Sequence, residues 1–300
     1  MTLEQLRIFV AVAERQHMTR AAEALGLAQS AVSAAIAALE TRHGVPLFHR
    51  VGRRIELTEG GRVFLGEASA VLARAAAAEL ALSEVGGLKR GTLSVHASQT
   101  IASYWLPWHL VRFRKLHPAI DVRLAVGNTA QVAEAVSSGS AELGFVEGMV
   151  DDPALMDEAI PGDRLVLVVG VSHPWAKRRR IEPQDLVDAE WVVRERGSGT
   201  RSEFEAALRL IGIKPKRLKY ALELPSNEAV RSAVVAGAGV TAISELVVEA
   251  LVKLGRLHRV AFDLPARSFH ALRHRERYQS KAAQALLAII EGDPAGEPSA

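Results

Sequence analysis

The chain has 300 residues, 49% of them hydrophobic and 24% charged, with a formal net charge of +3. It is too long for one comfortable core and ordinary in composition, which predicts two or three packed domains of roughly 100–200 residues each and excludes disorder along the bulk of the chain. Cysteine is absent, so structural disulfides, thiolate metal sites, a cysteine nucleophile and thiol redox sensing are all excluded.

The segment Met1 to Arg7 opens as an amphipathic helix and lacks the basic-then-apolar layout of a signal peptide. From Leu3 to Arg15 the apolar residues Leu6, Phe9, Val10 and Ala13 recur at helical spacing. Thr19 is the expected cap of a second helix ending at Leu25-Gly26, and a third covers about Gln29 to Arg42 with Val32, Ile36 and Leu39 inward. Gly44-Val45-Pro46 ends that helix. Leu47-Phe48, a turn at Gly52 and the strand-like Arg54 to Leu57 then read as a hairpin. Helix, helix, glycine turn, helix and hairpin make a winged helix-turn-helix.

Thr58 caps a long helix in which Phe64, Ala68, Val71, Ala75, Ala78, Leu82 and Val85 step by four and three, the seam of a coiled coil. The alternative is an Ala-rich helix packed on its own domain. The dimer helix is preferred because the preceding domain has already used its apolar faces. Gly86-Gly87 and Gly91 read as linker. Beyond Gly91 the pattern alternates strand and helix: Leu93–Ala97, Ile120–Val126, Ala141–Val146 and Leu165–Gly170 read as strands, with helices at Pro107–Leu116 and Ala130–Ser138. The rhythm repeats through Glu190–Arg194, Thr200–Ile211, Ser226–Ala236, Gly239–Ile243 and Glu245–Leu254. A βαβ order predicts mainly parallel sheets covered by helices, one sheet per lobe. Leu165 to Val171 suits a buried strand and is too short for a bilayer, so a soluble, cytoplasmic chain with no membrane partner is expected. The Gly-, Pro- and Glu-rich end, Glu291 to Ala300, is expected to fray.

The strongest functional signal runs from Ala21 to Ser33. Small Ala21 and Ala22 let two helices cross closely, Gly26 makes the turn, and polar side chains head the next helix. A recognition helix needs short polar groups where it enters the major groove, and Gln29, Ser30 and Ser33 supply them. Gln pairs with adenine edges; Ser bonds either base type or phosphate. Simple helix capping by Gln29 and Ser30 is the plainer alternative, and the two roles can coexist. Arg50, Arg53 and Arg54 in the wing, with Arg20, are the expected phosphate anchors, against the alternative of a solvated hairpin.

The string Ala-Ala-x-x-Leu, Gln-Ser-Ala-Val-Ser, Ile36-x-x-Leu39-Glu40, Leu47-Phe48-x-Arg50 and Leu57-Thr58-x-x-Gly61 resembles the LysR-type transcription regulators, with the likeness running from Met1 to about Ile290. One departure is that Ala34, Ala35, Ala37 and Ala38 follow Ser33, where family members often carry Arg or Lys. The resemblance implies an α/β chain with an N-terminal all-α winged helix-turn-helix (1–58), a linker and dimerisation helix (59–88) and a two-lobed effector domain like periplasmic binding proteins (89–300). Lobe I is expected at about 91–161 and 267–290, lobe II at about 162–266. It also implies an operator DNA partner, a homodimer or homotetramer, and contact with RNA polymerase.

In the second half, Ser98-Gln99-Thr100 and Arg194-Glu195-Arg196-Gly197-Ser198-Gly199-Thr200-Arg201 each follow a strand and precede a helix. Each offers backbone N–H groups, hydroxyls and a positive helix end, the parts of an anion site. Ligands of open α/β lobes sit at the carboxyl ends of strands, so the two segments, one per lobe, are expected to face a shared cleft. Glu147-Gly148 and Ser226-Asn227-Glu228 are secondary candidates for the same cleft. Arg194 is the expected countercharge, with pairing to Glu147 or Glu195 as the alternative; Ser98 and Ser198 as helix caps are another. Val126 to Thr129, Leu143 to Gly148 and Gly197 to Arg201 resemble a LysR branch containing regulators of Calvin-cycle operons and of sulfite or sulfur assimilation. That implies a small anionic effector, a sulfur oxyanion or a phosphorylated metabolite, with no cofactor and no metal.

A transport-type binding protein has no place for the N-terminal reader. An enzyme needs partners that are not evident: His270 and His274 lie on a strand-like stretch with no third ligand nearby, and Ser98 has no His–Asp partners. The run Lys177-Arg178-Arg179-Arg180 reads as a solvated loop. A constitutive DNA-binding protein without a working sensor stays open, and ligand titration separates it from a switch.

Overall fold

The computed structural model describes residues 1–51, 54–84 and 91–292. Arg53, Val85, the Gly86-Gly87 linker and the chain end from Asp293 lie outside the described residues. The chain divides into two compact units. The first contains α1 (Leu3–Arg15), α2 (Met18–Leu25), α3 (Gln29–His43), β1 (Phe48–Val51), β2 (Arg54–Leu57) and α4 (Glu59–Glu84).

Thr2 and Gln5 close a reciprocal capping box on α1. Its buried stripe, Leu6, Phe9 and Val12, meets Val32, Ile36 and Leu39 of α3. Phe9 is wholly buried and sits 5.5 Å from the Phe48 ring and 4.8 Å from the Phe64 ring. α2 begins before the expected Thr19 cap. Gln16 turns left-handed (φ 48°) to end α1, and His17, in extended backbone, becomes the cap, with Nδ1 accepting the Arg20 N–H at 3.4 Å. Gly26 ends α2 at φ +66°, a conformation that disfavours any side chain. One Glu40 carboxylate oxygen accepts the N–H groups of Leu47 (2.7 Å) and Phe48 (3.2 Å), tying the hairpin to α3.

Thr58 caps α4: its hydroxyl accepts the Gly61 N–H at 2.9 Å and donates to the Pro46 carbonyl at 2.7 Å. The expectation that the domain had already used its apolar faces is corrected here. Phe64 and Ala68 belong to the N-terminal core, with Leu65 and Leu72 beside them, because the hairpin leaves one side of Phe9 open. Further along, Val71 and Leu82 are exposed. The helix has 26 residues, which at ~1.5 Å each is about 39 Å long.

The second unit contains β3 (Gly91–Ser98), α5 (Leu106–Leu116), β4 (Ile120–Gly127), α6 (Thr129–Ser138), β5 (Leu143–Glu147), β6 (Leu155–Ile160), β7 (Leu165–Gly170), α7 (Pro183–Asp188), β8 (Glu190–Arg194), α8 (Gly199–Leu210), β9 (Lys219–Leu224), α9 (Asn227–Val235), β10 (Val240–Ser244), α10 (Glu245–Lys253), β11 (Leu257–Arg259), β12 (Phe269–His274) and α11 (Lys281–Gly292). A π-helical turn, Ile101–Trp105, leads into α5, so this helical segment starts well before Pro107. Two five-stranded sheets result, ordered β4-β3-β5-β12-β6 and β11-β7-β10-β8-β9.

Both sheets are mixed, where mainly parallel ones were expected. β3 runs parallel to β4 and β5, and β8 parallel to β9 and β10. β12 is antiparallel to β5 and β6, and β7 to β10 and β11. The reason is topological: β7 and β12 are each entered by a crossing from the other lobe rather than through a covering helix. Helices cover both faces, so β5 and β7 are buried along their whole length. Lobe I packs Leu93, Val95, Phe113, Phe145 and Phe269 on one face and Val132, Val136 and Leu272 on the other. In lobe II, Leu167, Trp191 and Phe204 oppose Val166, Val192 and Ile243 in the same way. No single helix among the described residues is long and apolar enough to cross a membrane. His270 pairs through Nδ1 with Asp157, Arg178 with Asp185 and Arg180 with Glu182.

Candidate functional site

Two sites are built by these folds. In the N-terminal unit, Gln29 and Ser30 stand exposed on the first turn of α3 and Ser33 half-buried behind them. Neither Gln29 nor Ser30 caps the helix: the cap position is Ala28, without a side-chain bond, and Gln29 Nε2 instead donates to Ser33 Oγ at 2.9 Å. That bond holds the Gln29 amide along the helix face. Arg50 and Arg54 lie one on each of the paired strands β1 and β2 and are exposed; the turn expected at Gly52 lies outside the described residues. Neither is drawn into an ion pair among the described residues. A groove of about 380 Å³ runs between them and α3, lined by Gln16, His17, Met18, Gln29, Arg50, Arg54 and Ile55. Gln16 and His17 were missed in the sequence because a helix-ending residue and its successor carry no motif.

Arg54→Ala is expected to lower affinity for operator DNA and to reduce the slope of log K against log salt by about 1, since one phosphate contact releases about one counterion. Affinity measured over a salt series checks this; an unchanged slope excludes Arg54 from the phosphate contacts.

In the second unit the expected residues lie at the carboxyl ends of strands. Ser98 ends β3 and is buried, and its Oγ has no hydrogen-bond partner. Thr200, in the first turn of α8, is also buried with its Oγ1 unpartnered. Ser98 caps nothing, and Ser198, at the cap position of α8, makes no capping bond. Gln99 and Thr100 reach the other lobe: Gln99 Oε1 accepts the Asn227 N–H at 2.7 Å, and Thr100 Oγ1 accepts from Asn227 Nδ2 at 3.1 Å. Asn227, fully buried at the start of α9, also takes a bond from Arg194 Nη1 at 2.7 Å.

A second approach joins the lobes. The position a Cβ would take on Gly199 lies 2.5 Å from the Glu147 carbonyl oxygen and 2.5 Å from Thr129 Oγ1. Only glycine lets α8 come this near to the end of β5. Glu147 itself is buried.

The cationic side chains here are already compensated. Arg194 forks onto Glu195, Nε to Oε2 at 2.8 Å and Nη2 to Oε1 at 2.9 Å, the pairing left open in the sequence beside a countercharge role. Arg201 donates to Glu205 (3.0 Å), Glu223 (2.5 Å) and the Arg194 carbonyl (3.0 Å). Burial opposes its charge, and Glu223 and Glu205 outweigh that, raising its pKa above the ordinary arginine value. Ser98 Oγ and Thr200 Oγ1, one in each lobe, have no hydrogen-bond partner among the described residues.

Residues 3–62 match the family model described as bacterial regulatory helix-turn-helix protein, lysR family, and residues 86–293 match the LysR substrate binding domain. The chain belongs to the LysR family. It is 36% identical over 299 residues to YeiE of Escherichia coli (strain K12), called an uncharacterized HTH-type transcriptional regulator, covering 99% of each chain. It is 34% identical over 287 residues to a probable RuBisCO transcriptional regulator of Cyanidioschyzon merolae, covering 94% of this chain and 95% of that one, in keeping with the Calvin-cycle-like branch. Among solved structures, full-length CbnR complexed with its target DNA superposes with a TM-score of 0.70 at 23% identity, covering 97% of this chain and 99% of that one. The Synechocystis CcmR regulatory domain in complex with 2-PG gives 0.61 at 24% identity, covering 68% of this chain and 97% of that one.

This LysR-type chain is thus a DNA-binding transcription regulator with an effector-binding domain. Sequence reasoning missed the residues that tie its lobes at the crossovers: Asp163, Ser244 and Arg267. They lie at strand ends or in irregular segments, where periodicity says nothing.

Proposed function

We propose that the regulator is switched by a small oxyanion, a sulfur oxyanion or a phosphorylated metabolite, closed between the two lobes. The observation that carries this reading is the pair of buried, unpartnered hydroxyls, Ser98 Oγ and Thr200 Oγ1, on opposite lobes. A buried polar group left unmade costs about 1–3 kcal/mol, so two at one cleft mark places that a ligand fills. Thr200 lies in the first turn of a helix of 12 residues, where free N–H groups and the helix dipole favour negative charge. With the Arg194 and Arg201 charges spoken for, the anion is held by hydroxyl and backbone donors rather than by a bare countercharge. Ser98, Gln99, Thr100, Glu147, Arg194, Ser198, Gly199, Thr200 and Asn227 form this site, some on the ligand and some holding the lobes.

In the same reading, residues 1–58 read operator DNA through Gln29, Ser30, Ser33, Arg50, Arg53 and Arg54, residues 59–88 pair two copies, and residues 89–300 sense. The 2-PG bound by CcmR and the target DNA bound by CbnR supply precedent within the fold. Closing the lobes shifts the spacing of the DNA readers in a dimer or tetramer. A full switch from 1:99 to 99:1 requires about 5.5 kcal/mol of preference for one arrangement.

Thermal unfolding against sulfite, sulfate, thiosulfate, phosphate, phosphoenolpyruvate and sugar phosphates tests the reading. An anion at about 100 times its Kd stabilises the native state by about 2.7 kcal/mol. The shift is expected to be selective, and to be lost in Ser98→Ala and in Thr200→Val. No shift with any of these anions overturns the oxyanion reading and favours a DNA-binding protein without a working sensor.

A further inference from the structure

Beside Ser98 Oγ and Thr200 Oγ1, the second unit holds another unpartnered buried atom at the same end of the lobe I sheet, Nη1 of Arg267. Arg267 lies in the second crossover between the lobes, just before β12, with its side chain only 2% exposed. Its other edge is fully engaged. Nε and Nη2 fork onto Asp163 of the first crossover at 2.5 and 3.1 Å, and the Arg267 N–H donates to the Asp163 carbonyl at 3.1 Å. Ser244, at the end of β10, donates its hydroxyl to the same carboxylate. A fork through Nε and Nη2 turns Nη1 to the far edge of the guanidinium, away from Asp163, and a purely structural ion pair has no reason to bury that donor empty.

The surroundings of the guanidinium point toward the end of the sheet where Ser98 lies. The guanidinium stands over the Phe269 ring, 5.8 Å from its centre, and Phe269 is directly opposite Glu147 in the sheet. Glu147 is also the residue against which Gly199, the neighbour of Thr200, packs. On the other side of β5, Phe145 pairs with Ala97, the neighbour of Ser98. Burial opposes the charge on Arg267, but Asp163 first, then Glu147 and Glu203, more than offset it and raise its pKa. Glu147 belongs to lobe I and Glu203 to lobe II, so the guanidinium lies within electrostatic reach of both.

We infer that Arg267 is an effector-binding residue, whose Nη1 donates to an oxygen of the oxyanion held between Ser98 and Thr200 while Nε and Nη2 stay on Asp163. The inference rests on the oxyanion reading above and extends it. The ligand then touches lobe I, lobe II and the crossover at once. Because Arg267 also clamps the other crossover through Asp163, the anion acts on the hinge itself and not only on the two cleft faces.

The test is titration of the full-length protein with sulfite and, separately, phosphate, followed by thermal unfolding, in wild type, Ser98→Ala, Arg267→Lys and the double variant Asp163→Asn/Arg267→Gln. Lysine keeps the charge but lacks the fork. The double variant replaces the buried ion pair by two amides, so it keeps the test alive where Arg267→Lys fails to fold. For the anion that stabilises wild type, each Arg267 variant is expected to raise the titration midpoint by about tenfold to a hundredfold, the loss of one charge-assisted bond. Wild-type midpoints in an Arg267 variant that folds, alongside loss in Ser98→Ala, overturn the role of Arg267 and leave the oxyanion reading intact. If neither these two anions nor the others in the unfolding panel above move the wild type, the oxyanion reading falls and this inference with it.

Discussion

Gly199→Ala is expected to weaken effector binding by about tenfold to a hundredfold while lowering the melting temperature of the unliganded protein only slightly. The added Cβ would lie 2.5 Å from both the Glu147 carbonyl oxygen and Thr129 Oγ1, and atoms do not share that space. Glu147 is the last residue of a strand buried along its length and hydrogen-bonded into the sheet, so it does not yield. The freedom lies in the lobes. Backing α8 away from β5 relieves the clash and carries Thr200 away from Ser98. Overpacking typically costs about 1–3 kcal/mol. Where the lobes can part, the cost falls on the arrangement that brings α8 against β5, so it reads out as affinity more than as stability, at about 1.4 kcal/mol per tenfold. Titration with the stabilising anion, compared with melting of the unliganded variant, checks this. A large drop in melting temperature with unchanged affinity sinks the wedge argument.

The same residue shows what a sequence can convey. Gly197-Ser198-Gly199-Thr200 is legible as a strand-to-helix turn with anion-binding chemistry, because hydroxyls and glycines at a helix start are local facts. Gly26 and Thr58 are legible for the same reason, each stopping or starting a helix by its own conformation or its own hydroxyl. Thr19 misleads by that very logic: it has the right chemistry for a cap, but the left-handed turn at Gln16 starts α2 earlier and hands the role to His17. Phe64 and Ala68 carry a helical stripe that fits a coiled coil as well as a domain core, and only the open side of Phe9 decides between them. The antiparallel course of β7 and β12 is invisible to a reader of alternating elements, since the direction of a strand depends on which lobe the chain arrives from. Arg194 reads in the sequence either as a countercharge or as a partner of Glu147 or Glu195, and only the folded chain shows the Glu195 pair. Arg267 was not singled out at all; between Pro265-Ala266 and Ser268 it belongs to no periodic pattern, and its meaning comes from a residue 104 positions away.

That long-range pair is where the largest loss of stability is expected. Asp163→Ala should destabilise the effector domain by about 3–5 kcal/mol, because it leaves a buried guanidinium with no partner. The Arg267 and Asp163 side chains are 2% and 6% exposed, so water does not take over. At about 2–4 °C per kcal/mol for a domain of this size, the melting temperature should fall on the order of 10 °C. The double variant Asp163→Asn/Arg267→Gln is expected to lose much less, since neither charge is then stranded and the two amides can meet each other and the Ser244 hydroxyl. A double-mutant cycle built on Asp163→Asn, Arg267→Gln and the pair therefore gives a large coupling energy, and its sign carries the argument. Strong coupling says that the two crossovers, joined also by the Arg164–Ala266 bridge, act as one hinge, so that a ligand pulling on Arg267 Nη1 pulls on both strands that connect the lobes. Additive losses would say that each crossover is held by its own surroundings, and that an effector could set the lobe angle only through the faces it touches in the cleft.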